Sequence, residues 1–109
     1  MAKHEFGIMD APPLPHHRYD DYEPWRYHCI SVEDEAIEVL AERVRALPCF
    51  WHTLDWPETG LAYCGVTLIP PASLPELLAA ARTVAGCRTL AALLEKAAAE
   101  GKYVIHFGL

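Results

Sequence analysis

The sequence predicts an α+β fold: a two-layer sandwich with helices on one face of an antiparallel sheet. Three observations predict it. Short β-rich runs are interleaved with amphipathic helical stretches, and two of those runs adjoin in FWHTLDWPETGLAYCGVTLI around a Pro/Gly turn. From residue 27 onward the order is strand, helix, strand, strand, helical pair, strand, which is the ferredoxin-like βαββαβ order with an extra N-terminal strand in front. At 109 residues the chain is one domain, with 1–26 as strand plus Pro/aromatic covering segment and 27–109 as the βαββααβ body.

Each element has its own reason. Residues 4–9 alternate loosely as a strand, expected at the sheet edge, until prolines 12, 13 and 15 impose an extended path. Residues 27–30 read as a short strand. Ser31 is placed as the cap of a helix that gathers Glu33, Asp34 and Glu35 at its positive end, carries the stripe Ile37, Leu40, Val44 and Leu47, and stops at Pro48. Residues 50–55 and 61–69 form a hairpin; with Asp55 opposite Leu61, His52 faces Cys64 and Trp51 faces Gly65. In that hairpin Phe50, His52, Leu54, Cys64, Val66 and Leu68 share the face expected under the helices. Trp51, Thr53, Asp55, Tyr63, Thr67 and Ile69 share a mixed, open one. SLPE reads as a capping box from Ser73 to Glu76, its helix ends at Gly86, and a second helix runs to Gly101. The last strand is KYVIHFGL. HEFGI near the start and HFGL at the end look alike, which two short strands of similar composition explain without a repeat.

Composition removes several function classes. A formal charge of −6 disfavours nucleic acid and anionic membrane surfaces, whose affinity comes from clustered Lys and Arg. No leader and no long apolar run is read, so the expected compartment is the cytoplasm. Cys29, Cys49, Cys64 and Cys87 form no C-x-x-C pair and are expected reduced. Six glycines fall in no nucleotide-binding spacing, and Ser31 and Ser73 are the only serines, so no cofactor is expected and serine hydrolysis is disfavoured.

The residues that could bind form three sets. Trp51, Thr53, Asp55 and Tyr63 could line a groove or an interface on the open sheet face. His52 beside Cys64 could lower a thiol pKa and make a nucleophile, or be a satisfied histidine next to an inert cysteine. The stretch HHRYDDYEPWRYHC holds three histidines, four aromatics and three acids. Its Tyr19, Tyr22, Trp25 and Tyr27 could lie across the open sheet face, while His16, His17, Asp20 and Asp21 are the candidates for a metal.

The stretches KHEFGIM, RYDDYEPWRYHCISV, WHTLDWPETGLAYCGVTLIPP and VIHFG resemble a family of small uncharacterised bacterial proteins, and the resemblance implies a free-standing cytoplasmic domain without assigning any residue a role. The leading expectation is a small non-enzymatic binding protein that engages another protein or its own copy through the aromatic face. The second is a small-molecule or metal-binding protein, or a minor enzyme, using His52 with Cys64 or the His16, His17 and His28 cluster. The third is a neutralising partner for a basic toxin, using the acidic loop.

Overall fold

The computed structural model describes residues 2–109. Six strands form one antiparallel sheet: β1 (Lys3–Ile8), β2 (Ile30–Glu33), β3 (Pro48–Trp51), β4 (Pro57–Thr59), β5 (Val66–Ile69) and β6 (Val104–Phe107), in the spatial order β2-β1-β6-β5-β3-β4. Helices α1 (Asp34–Arg43), α2 (Leu74–Ala81) and α3 (Arg88–Glu100) lie against one face. The α+β class with an antiparallel sheet is as expected. Among the described residues no helix is long and apolar enough to cross a membrane.

The strand order departs from the expected one. The N-terminal strand is not an edge piece: β1 lies between β2 and β6, and β6 pairs with β1 and β5. Burial explains the exchange. β6 is buried along its whole length and β1 buries His4, Phe6 and Gly7, whereas β2 exposes Ser31 and Glu33. A strand with exposed polar residues tolerates a sheet edge, whereas a strand buried along its length belongs in the sheet centre, where neighbours and covering elements shield it.

The first helix also starts later than its apparent cap. Ser31 belongs to β2, opposite Glu5, and α1 begins at Asp34. Ile30 and Val32 alternate inward, and pairing with β1 takes precedence over a cap. Ser73 does precede α2, yet its hydroxyl donates to Pro48 O at 2.5 Å instead of capping the helix. α3 ends as expected, with Gly101 at φ +65° as the left-handed terminator.

The central hairpin differs most. Phe50 pairs with Leu68 and Trp51 with Thr67, two residues away from the expected register. The chain leaves β3 at His52, whose φ of +64° ends the extended run, and Trp51 N–H bonds to Trp56 O as 57–59 return along the other side of β3. A slip of two keeps side chains on their faces, so the two groups survive. Their environments are reversed. Ile69 and Cys49 join the helix-side core with Phe6, Val32 and Val104, whereas Phe50, Leu54, Val66 and Leu68 lie on the other side with Ile105 and Phe107.

That second side is closed by the chain itself. Tyr19, Tyr27 and Cys29 pack on the Val66, Leu68, Ile105 and Phe107 surface. The approach is close at Gly7, where an added Cβ would stand 2.6 Å from Tyr27 Cβ and 2.7 Å from Cys29 Sγ. A rigid extended chain rich in tyrosine can bury an apolar sheet face as well as a helix can, so the composition of one hairpin does not say which cover it receives.

Candidate functional site

A cleft of about 400 Å³ opens on the chain-covered side of the sheet. Its floor is the cross-strand row Glu5, Phe107 and Val66, from β1, β6 and β5. Segment 20–22 supplies Asp20 and Tyr22, the turn after β3 supplies His52, the loop before β5 supplies Cys64 and Gly65, and Lys3 stands at the rim. The last two residues, Gly108 and Leu109, complete it. They extend the ladder, Gly108 N–H donating to Gly65 O at 2.8 Å and Leu109 N–H to Tyr63 O at 2.9 Å.

His52 is held by several contacts. Its carbonyl accepts from Tyr19 N–H at 2.7 Å and its N–H donates to Val66 O at 3.0 Å. This fixes a left-handed backbone that a non-glycine residue adopts only under constraint. Nδ1 lies 2.8 Å from Asp20 Oδ1, close enough for charge attraction but without hydrogen-bond alignment. Nε2 faces Val66 N–H at 3.5 Å and sits where a Cβ on Gly65 would be, 2.7 Å away. Both ring nitrogens are therefore turned to groups other than the Cys64 thiol. Asp20 is itself held below the usual carboxylate range, first by the Arg18 guanidinium and then by His52. The Tyr22 hydroxyl donates to Glu5, its ring stands edge-on to Phe107, and the neighbouring carboxylate raises the phenol pKa.

On the helix side of the same strands runs a buried polar chain. His4 and His106 are fully buried, stacked with ring centroids 5.2 Å apart, and joined at 2.9 Å between His4 Nδ1 and His106 Nε2. His4 Nε2 donates to Asp34 Oδ1 at 2.9 Å, and the Tyr63 hydroxyl donates to the same oxygen at 2.7 Å. His106 Nδ1 is hydrogen-bonded to the Thr67 hydroxyl at 3.1 Å, and Thr67 Oγ1 accepts from Ala62 N–H at 2.8 Å. Burial, with His4 beside it, pushes the His106 pKa down to about 3. The Tyr63 and His4 hydrogen bonds hold Asp34 below its ordinary value, and Asp34 in turn raises Tyr63 to about 12.

The expected site residues separate into those the cleft gathers and those it does not. Asp20, Tyr22, His52 and Cys64 line it, although His52 and Cys64 are not cross-strand partners because both lie beyond the ladder. Trp51 is half-buried on the helix-side face and donates from Nε1 to Gly60 O at 3.1 Å; Thr53 is buried and its hydroxyl accepts from Asp55 N–H. The open aromatic face made of these residues is therefore absent. Tyr63 is partly exposed at the end of the polar chain, and Trp25 is 68% exposed on the 3-10 turn Pro24–Tyr27. The metal set does not assemble: His16 pairs with Asp55 at 3.0 Å, His17 packs edge-on to Tyr19, Asp20 turns to Arg18 and His52, and Asp21 and His28 are exposed elsewhere. Among the described residues no three His, Cys, Asp or Glu side chains converge as metal ligands.

Glu5, Lys3 and Phe107 of the cleft, and the His4, Asp34, Thr67 and His106 chain, were not singled out by sequence reasoning. The likeness of HEFGI and HFGL was the available signal, since these are the strands that pair and bring the two histidines together. Compared with protein-family models, curated proteins and solved structures, the chain has no match.

Proposed function

We propose that this protein acts by binding a small cationic or hydrogen-bond-donating molecule in the Glu5, Asp20, Tyr22, His52 and Cys64 cleft, without covalent chemistry. The observation that carries the reading is the convergence of these side chains, from four separate chain segments, on one concavity. Its volume is in the range of small-molecule sites, with an aromatic wall and a few polar groups. The lining holds two carboxylates, of which Asp20 is paired with Arg18, and one rim lysine; Glu5 and the chain charge of −6 favour a positive ligand head. His52 Nδ1 lies against Asp20 and Nε2 against Val66 N–H rather than pairing with Cys64, which favours binding over thiol catalysis. A cytoplasmic setting, as expected for the small bacterial proteins the sequence resembles, suits such a role.

The test is amide NMR of the full chain titrated with a small diamine and, separately, with a dicarboxylate of the same length. The expected result is saturable shifts at Cys64, Gly65 and Val66 with the diamine, lost in Glu5→Gln and Asp20→Asn. Shifts with the dicarboxylate alone, or none at these amides at millimolar diamine, would overturn it.

A second reading, association with another copy of the chain, rests on Trp25 and Tyr22, which stand 68% and 58% exposed in the same segment. Exposed tryptophan and tyrosine suit interface anchors. Light scattering after size exclusion tests it: a dimer that Trp25→Ala converts to monomer supports the reading, and a monomer at high concentration removes it.

A further inference from the structure

We infer that the buried chain through His4 and His106 is an acid-sensitive latch on loop 61–65, the loop that forms one wall of the cleft. The two ends of the chain are adjacent residues of that loop. It starts at Ala62 N–H and finishes at the Tyr63 hydroxyl, having passed through Thr67, His106, His4 and Asp34 in between. The loop is thus clamped at two neighbouring points, immediately before Cys64 and Gly65.

The chain closes in one sense only. A backbone N–H can only donate and an ionised carboxylate can only accept, so with both rings neutral the ends fix the direction. Ala62 N–H donates to Thr67 Oγ1, Thr67 O–H to His106 Nδ1, His106 Nε2–H to His4 Nδ1, and His4 Nε2–H to Asp34. Both imidazoles are then neutral Nε2–H tautomers and every ring nitrogen is satisfied. One added proton breaks this arrangement. On His4 Nδ1 it meets the His106 Nε2–H; moved on to His106 Nδ1 it displaces the Thr67 hydroxyl proton, which has no further acceptor in the chain. A second proton would set two cations against each other within one stack. The charged and titratable groups acting on the pair and its clamp are Asp34 and Glu38 from α1 and Tyr63 and Cys64 from the loop, with His52 across the sheet against Gly65.

Release follows from linkage. Lifting the loop strips the Tyr63 ring, 5.3 Å from His4 and edge-on, off the pair and admits water. Once solvated, His106 takes up a proton near the ordinary histidine value that it resists while buried in the closed loop, so acid favours the open loop. One proton allows the opening constant to rise roughly tenfold per pH unit below about 6.5. This regulates the cleft proposed above, and bears on a ligand only if that reading holds.

The test is hydrogen exchange by NMR on the full chain without ligand between pH 7 and 5, corrected for intrinsic rates. The expected result is Ala62 opening that increases by up to about tenfold per pH unit, with Leu68 unchanged, and Nε2–H tautomers for His4 and His106 at pH 7. The pH dependence should survive His52→Gln. In Thr67→Val the Ala62 amide should be open already at pH 7. In Tyr63→Phe, a change at a partly exposed position that keeps the fold, opening at pH 7 should rise while its acid dependence remains. A pH-independent Ala62, opening of Ala62 and Leu68 together, an Nδ1–H tautomer at either ring, or loss of the dependence in His52→Gln would overturn the latch. Because no ligand is present, the latch can hold where the diamine fails to bind, and a diamine-dependent shift at Gly65 at pH 7 can stand where the latch fails.

Discussion

His4 Nδ1 and His106 Nε2 stand 2.9 Å apart between neighbouring central strands, 102 positions apart in the chain and with no exposure to solvent. The contact joins the first strand to the last. Phe6 is directly opposite His106, so His4, two residues earlier on the same face, is its diagonal neighbour. A polar pair at this depth stabilises only while every partner is in place.

Stability should therefore fall in acid. The His106 pKa in the folded chain is lowered to about 3 from an ordinary value of 6.5. Between those values the unfolded chain binds a proton that the folded chain does not, so stability is lost as pH falls. The slope is up to about 1.4 kcal/mol per pH unit for this one group. Urea unfolding at intervals from pH 7 to 4 should show the decline beginning near 6.5. A flat profile to pH 5 would mean that the pair takes up a proton without cost.

Gly7→Ala should destabilise by about 1–3 kcal/mol, because a methyl there overlaps Tyr27 and Cys29 and pushes the covering segment off the sheet. Thermal unfolding measures the loss. Exchange should quicken first at Tyr19, whose N–H bonds to His52 O.

Gly108→Ala tests the other wall of the cleft. Its Cβ would fall 2.2 Å from Tyr63 O, too close for the Gly108–Gly65 and Leu109–Tyr63 bonds to persist. The amides of residues 108 and 109 should lose protection while β6 keeps its own. Retained protection at Leu109 would show that loop 61–65 yields instead.

Native alkylation should separate the cysteines. Cys64 is exposed, Cys49 and Cys87 are buried, and burial pushes Cys29 and Cys49 up to about 12. Iodoacetamide should label Cys64 first and reach Cys49 and Cys87 only on unfolding, as read by peptide mass mapping. A Cys64 rate far above that of a free model thiol would reinstate the nucleophile reading, since His52 would then have to act on it.

Much of the local structure was legible in the chain itself. The stripe Ile37, Leu40, Val44 and Leu47 is buried as its spacing required, and Gly101 terminates α3. The aromatic stretch after residue 16 does cover a sheet face, through Tyr19 and Tyr27, because large rings without regular structure must find apolar surface. The separation of Phe50, Val66 and Leu68 from Trp51, Thr67 and Ile69 also held, since a slip of two residues preserves the alternation.

The sequence by itself determined these local matters: where helices can run, which residues share a face, and that the opening segment needs a surface to cover. Periodicity and turn chemistry act over a few residues and are written in them. Only the tertiary structure decided which face the helices took, that β1 would enter the sheet centre, and that His4 would meet His106 and both would connect through Thr67 and Asp34 to the cleft wall. Those outcomes depend on closing loops of tens of residues and on the summed burial of all six strands, and no short stretch of chain carries that sum.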